Sequence, residues 1–286
     1  MKRLAVSVLA LFFLALLLAC FFTQDSLAGR KIRGSGDLIT EEREVKDITG
    51  VELATIGTLY IEVGDEEKFE IEAEDNLIEY FETDVHRGYL VIETTGRVNL
   101  HPRRAVRYYL TVKHLDEIEI SSSGDIEAPD LKADRFEVNI GSSGNFDMGN
   151  LEATSLDVRI GSSGDVTFES VTARDVEIDI GSSGDVRLRD LEATLLVVDI
   201  GSSGNVNIGG GTVEEQDIVI NSSGDFKGKR LECKEASVRI NSSGDATVNV
   251  SEYLDARTNS SGDIYYIGDP EVDRRATSSG EVRKTR

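Results

Sequence analysis

The sequence predicts an all-β fold: a right-handed single-stranded β-helix of about nine coils of 18–20 residues, preceded by a β-rich capping region. Three observations carry this. The triplet Ser-Ser-Gly ends at Gly124, Gly144, Gly164, Gly184, Gly204, Gly224, Gly244, Gly262 and Gly280, spaced by 20 residues six times and then by 18 twice. An isoleucine keeps the same register from Ile120 through Ile140, Ile160, Ile180, Ile200 and Ile220 to Ile240, and becomes Thr258 and Ala276 in the last copies. Within a copy, Leu156, Val158 and Ile160 alternate with polar residues, as do Val166 and Phe168, which is the period of a strand. A unit this short cannot bury its own apolar face, so it must stack on its neighbours. Stacked coils pair as parallel strands ~4.8 Å apart. Parallel crossovers favour right-handed winding, and the hexapeptide pattern of left-handed solenoids is missing.

The chain opens with a targeting segment, residues 1–28. Lys2 and Arg3 precede an apolar run from Leu4 to Phe22, and Ser26-Leu27-Ala28 has small residues at the two selective positions of a signal-peptidase site. Cleavage after Ala28 is the expectation. A competing reading takes Leu17–Cys20 as a lipobox, with Cys20 the lipidated terminus; an uncleaved anchor is a third option, although the run is barely long enough to span. All three export the protein to the periplasm or the cell surface.

Residues 30–115 read as the capping region. "FEIEAE" at Phe69–Glu74 and "YLVIET" at Tyr89–Thr94 alternate as strands, and "VHRGYL" at Val85–Leu90 reads as a hairpin turn. "RGSGDL" and "ATIGTLYI" keep a trace of the repeat. Residues 116–286 are the coils. Each coil must turn at the same place, and Ser-Ser-Gly-Asp supplies the corner: Gly for positive φ, Ser and Asp for bonds to nearby backbone. The residue after each Gly forms a column of six Asp, two Asn and one Glu. The expectation is that each bonds its own corner; a column of bound cations is the alternative. Cys233 falls where other coils place Ala153, Ala173 and Ala193, which predicts an inward-facing free thiol. "IGGGT" at Ile208–Thr212 reads as a bulged corner, and the basic residues after Ala276 as charge that discourages end-to-end stacking.

"IRGSGDLITEEREVKDITGVELATIG" at Ile32–Gly57, then "NLIEYFETDVHRGYLVIET" and the repeated "SSGD" corners, resemble the bacterial head GIN domain family, whose family label is putative auto-transporter adhesin. The resemblance covers nearly all of the chain after the leader. It implies an exported β-helical protein and supplies no catalytic residues. The usual Ser-Gly-Ser-Gly corner is mostly Ser-Ser-Gly here, and Ala54–Gly57 replaces one corner altogether.

The chemistry of an enzyme is missing from the residues themselves. With 31 basic and 53 acidic residues the net charge is −22, which repels nucleic acid and anionic membrane surfaces. The three histidines, His86, His101 and His114, all precede the coils, so a repeated corner serine has no base beside it. No cysteine pair or histidine cluster has metal-ligand spacing, "GDEE" at Gly64–Glu67 reads as a turn rather than a calcium loop, and no cofactor is expected. One patch breaks the acidic background: "HPRRAVRYYL", with Arg103, Arg104, Arg107, Tyr108 and Tyr109. It reads either as a ligand contact for an anion or glycan, or as a loop entering the strand Val106–Val112 with its arginines paired to local acids. The function expected is an exported, non-enzymatic binding module for an envelope glycan or protein, reaching the membrane only through a lipid anchor. A β-helical polysaccharide lyase or hydrolase, and a structural spacer, are the alternatives.

Overall fold

Alternating side chains give each coil an inside and an outside, and the computed structural model shows where every column lands. It describes residues 29–286. The expected leader, the expected cleavage site after Ala28 and the candidate lipidation residue Cys20 lie outside the described residues.

The coils are all-β and form a solenoid of about eight turns, bounded by the nine corners. Strand partners lie 20 residues apart, as in Leu156↔Val176 and Ile160↔Ile180, and 18 apart in the last two coils, as in Leu254↔Val272. A coil is nearly continuous strand: Phe146–Ile160 runs unbroken for 15 residues. The isoleucine column from Ile120 to Ile240 is buried throughout, and beside it run Val138, Val158, Ile178, Val198 and Ile218. Across the interior stand Phe146 and Phe168, whose rings meet edge-on at 5.7 Å. Where the isoleucine column ends, Thr258 is fully buried and its hydroxyl donates to the Gly262 carbonyl at 2.7 Å, so the hydroxyl is satisfied without water. Gln216 is the odd member of the column Leu196–Gln216–Ala236: its buried amide has no hydrogen-bond partner.

Two corner expectations are corrected. The corner glycines do not use positive φ; only Gly36, Gly57, Gly88, Gly96, Gly211 and Gly268 do. Glycine is required for closeness instead. From Gly144 to Gly262, a Cβ would fall against the carbonyl oxygen of the corner glycine one coil back, and against Cγ2 of that coil's isoleucine. The acidic column also bonds differently. From Asp125 to Asp263, each side chain accepts the backbone N–H of the equivalent residue in the next coil, not of its own corner: Asn145 N–H to Asp125 at 2.9 Å, Asp185 N–H to Asp165 at 3.0 Å, Asp263 N–H to Asp245 at 2.8 Å. The corner turns that N–H out of the backbone ladder, and the carboxylate or amide replaces the lost acceptor. Repulsion along the column is eased by Arg187, which bridges Asp165 and Asp185 at 2.9 and 2.7 Å, and by the Asn145 and Asn205 amides. Asp185→Asn is therefore expected to be nearly neutral, while Asp185→Ala costs about 1–2 kcal/mol in urea unfolding. A chelator is expected to leave the melting temperature unchanged in both.

Cys233 is 4% exposed in the column Ala193–Val213–Cys233, and burial pushes its thiol up to about 11. Below that pH the thiolate is scarce as well as covered. Thiol reagents are expected to label the native protein slowly at pH 8 and rapidly in denaturant; fast native labelling refutes this.

The capping strands are β1 (Arg30–Arg33), β2 (Leu38–Arg43), β3 (Gly50–Ala54), β4 (Thr58–Val63), β5 (Lys68–Glu74), β6 (Phe81–His86), β7 (Tyr89–Thr94), β8 (Val98–His101) and β9 (Arg107–Val112). β3 and β4 form a coil, with Gly57 at φ 110 in its corner, and β10 (Glu117–Ile120) and β11 (Asp125–Ala128) stack on it in parallel. On its other side lie β7, parallel to β3, and β9, parallel to β4. The stacking order is therefore not the chain order: the coil of residues 50–63 sits between residues 89–112 and 117–128. β5 covers β9, β2 covers β5 and β6 covers β7, all antiparallel. The β6–β7 hairpin turns at Arg87 and Gly88, both at positive φ. Leu77, Ile78 and Phe81 plug the end of the core, and Arg43 reaches across it, donating to the Phe81 carbonyl at 2.6 Å and pairing with Glu41 at 2.8 Å. In the last coil, Arg274 occupies the column of Val238 and Ala256. A charge in an inward position keeps a strand edge from recruiting another.

Candidate functional site

The basic and aromatic patch lies where β8 feeds β9, and alternation splits it between two faces. Tyr108 points inward and is fully buried. Its ring stacks on Phe69 at 6.4 Å and meets Phe81 edge-on at 5.8 Å, and its hydroxyl donates to the Ile56 carbonyl at 3.0 Å. Burial pushes that phenol up. Arg107 and Tyr109 point outward. Arg107 donates to Glu72 on β5 at 2.6 Å, and Tyr109 is 40% exposed. Strand register adds a residue that the sequence reading missed: Tyr60 on β4 lies opposite Tyr109, ring centroids 5.6 Å apart and nearly parallel. The alternation of Leu59 and Ile61 marks Tyr60 as outward, but only the β4–β9 pairing brings it to Tyr109. Stacked on each other, the rings hold each other in place and give β4 and β9 a joint aromatic surface, with the Arg107–Glu72 ion pair two residues along β9.

Arg103 and Arg104 are exposed on the loop entering β9, and their backbone does the visible structural work. The carboxylate of Glu74, 1% exposed, accepts the N–H of Arg103 at 2.8 Å, of Arg104 at 3.4 Å and of Gly36 at 2.6 Å. The Arg103 guanidinium donates to the Ser35 carbonyl at 3.2 Å. Ser35 also bonds Asp75 at 2.5 Å and Asn76 at 2.8 Å. Thus "RGSGD" is no coil corner. It is a strap tied to "EDN" at Glu74–Asn76 and to the arginine loop.

Elsewhere the surface is acidic. Burial, then Glu137 and Glu119, push the Glu117 carboxyl up, and burial followed by Asp179 does the same to Asp199. Burial, then Glu117 and Glu119, push the Tyr89 phenol up. A groove of about 530 Å³, lined by Val63, His114, Leu115, Asp130, Leu131 and Leu151 among others, opens where the chain crosses from β9 to β10; none of the five patch residues lines it. Among the described residues, no group of three or more His, Cys, Asp or Glu side chains is placed to hold a metal ion. No described helix is long and apolar enough to cross a membrane.

Fold and surface together define a capped β-solenoid. The family model described as "Putative auto-transporter adhesin, head GIN domain" matches residues 47–209 and 169–270, and the chain belongs to that family. Solved structures share the fold. A "putative adhesin" from Parabacteroides merdae is 20% identical, with a TM-score of 0.68 over 90% of this chain and 100% of its own. A "putative adhesin" from Parabacteroides distasonis is 23% identical, with a TM-score of 0.68 over 89% and 100%. A "Putative lipid binding protein" from Parabacteroides distasonis is 24% identical, with a TM-score of 0.65 over 90% and 100%. No curated protein matches the chain.

Proposed function

We propose that the protein is an exported, non-enzymatic adhesin-type module that binds an envelope or extracellular ligand, a glycan or a protein. Its contact face is Arg107, Tyr109 and Tyr60, with Arg103 and Arg104 at the rim and Tyr108 holding the strand from beneath. The observation that carries this is the stacked pair of exposed Tyr109 and half-buried Tyr60 on paired strands. Ring faces stack on the apolar faces of sugars and on side chains, and rigid aromatics lose little entropy on binding. Family membership and the leader support export.

A screen of envelope glycans and surface proteins against the purified protein tests the reading. Tyr60→Ala/Tyr109→Ala is expected to abolish the binding seen with the parent protein. Full binding by this variant refutes the site, and release of reducing ends from a bound glycan refutes the non-enzymatic assignment. Export is checked by mass spectrometry of the mature protein. The expected N-terminus is Gly29; an acylated Cys20 replaces it if the lipobox is used.

A further inference from the structure

The outward columns change character along the rod. The position before the isoleucine column runs Glu119, Asn139, Arg159, Asp179, Asp199, Val219, Arg239, Arg257 and Arg275, held in register by strand pairing, and only its last three members are consecutive arginines. The position after it changes in step: Gly181 and Gly201 give way to Asn221, Asn241, Asn259 and Thr277. The asparagine amides form their own ladder, Asn241 donating to Asn221 at 2.8 Å and Asn259 to Asn241 at 2.9 Å. The last coils therefore present arginines one strand spacing apart, ~4.8 Å, beside a row of amides, in a chain of net charge −22.

Local acids do not balance the arginines. Arg257 pairs with Asp255 at 2.8 Å and Asp273 at 3.8 Å. Arg239 and Arg275 are exposed, and neither has an ion-pair partner among the described residues. Three stacked guanidinium groups repel one another even in water. An anion between or above them relieves that repulsion and takes their planar forks of donors.

We propose that the ladder Arg239–Arg257–Arg275 binds an acidic polysaccharide carrying one carboxylate per sugar. Three features favour this polymer over a nucleic acid. Its charges are sparse enough to match one arginine per coil, whereas a duplex carries a charge every ~1.7 Å along its axis. Asp255 and Asp273 flank the ladder; they repel a dense polyanion but accept hydrogen bonds from sugar hydroxyls. The amides of Asn241 and Asn259 can donate to ring and hydroxyl oxygens, and so can the Thr277 hydroxyl. The site is distinct from the Tyr60–Tyr109 pair in both residues and location, so it stands or falls separately.

Calorimetric titration of the purified protein with oligogalacturonate at low salt tests the proposal. Binding is expected, weakening as salt rises. Arg239→Gln/Arg257→Gln/Arg275→Gln is expected to bind at least about tenfold more weakly. Arg189→Gln, which removes a guanidinium paired with Glu169 at 3.1 Å away from the ladder, is expected to bind normally. Because Arg257 also carries ion pairs, Arg239→Gln/Arg275→Gln serves as the variant that removes only unpaired groups, and it must weaken binding by itself. No binding of oligogalacturonate overturns the proposal, as does binding that both ladder variants leave intact. Tighter binding of duplex DNA or of anionic phospholipid vesicles than of oligogalacturonate overturns the polysaccharide assignment. Loss of oligogalacturonate binding in Tyr60→Ala/Tyr109→Ala alone places the ligand on the other face and overturns it too.

Discussion

Gly184→Ala is expected to destabilise the protein by about 3 kcal/mol or more in urea unfolding, and to leave little folded protein at physiological temperature. The added methyl would be driven into the Gly164 carbonyl oxygen and to 2.6 Å from Ile160 Cγ2. Neither can retreat: the carbonyl belongs to a corner fixed by inter-coil hydrogen bonds, and the isoleucine is fully packed among its column neighbours. Three residues earlier in the same corner the outcome reverses. A Cβ on Gly181 would meet nothing closer than the Ile160 carbonyl oxygen at 3.8 Å, and later coils carry Asn221 and Asn241 at that position. Gly181→Asn is expected within about 0.5 kcal/mol of the parent. If both substitutions are tolerated, the close-approach account of the corner is wrong.

Glu74→Ala is expected to cost about 3 kcal/mol or more, measured the same way. It strands the N–H groups of Gly36, Arg103 and Arg104 around a cavity with no acceptor, and releases the strap from the arginine loop. Glu74→Gln is expected to fall between, because one amide oxygen replaces one carboxylate oxygen while the NH₂ group faces donors. Intrinsic tyrosine fluorescence, to which the Tyr60–Tyr109 pair contributes two of eight tyrosines, is expected to change with Glu74→Ala, since the loop that feeds β9 loses its tie. A Glu74→Ala protein as stable as the parent would show that the strap is dispensable.

How much of this was legible depends on whether a residue's neighbours are set by the repeat. In a stack, residue i touches residue i + 20, so identity at that spacing is itself the contact map. The isoleucine column, the buried Cys233 and the coil outline are readable for that reason. The corner glycine was readable as a glycine but not for its cause, because positive φ and close approach both select the same residue. The acidic column was likewise visible, while the destination of its hydrogen bonds required the coil-to-coil offset. The capping region has no period to read. Tyr108 and Tyr109 are neighbours in sequence and lie on opposite faces, and Tyr60 joins Tyr109 across a pairing of strands 49 positions apart. The Glu74 strap gathers residues from three separate segments, and nothing local in "EDN" announces it.

The nesting of the residues 50–63 coil between residues 89–112 and 117–128 sets an order of assembly. A ribosome delivers β3 and β4 early, yet neither parallel partner of either strand exists until tens of residues later. The first coil made is thus left waiting, and the rod cannot grow outward from it as a simple spool. The coils after Asp125 face no such delay: each finds its seat on the one just completed. Disassembly inherits the same asymmetry. The coil that includes Glu271–Ala276 is held by pairing to its immediate predecessor and can peel away alone. Freeing β3 means opening two interfaces at once. The molecule is a zipper with a sewn end.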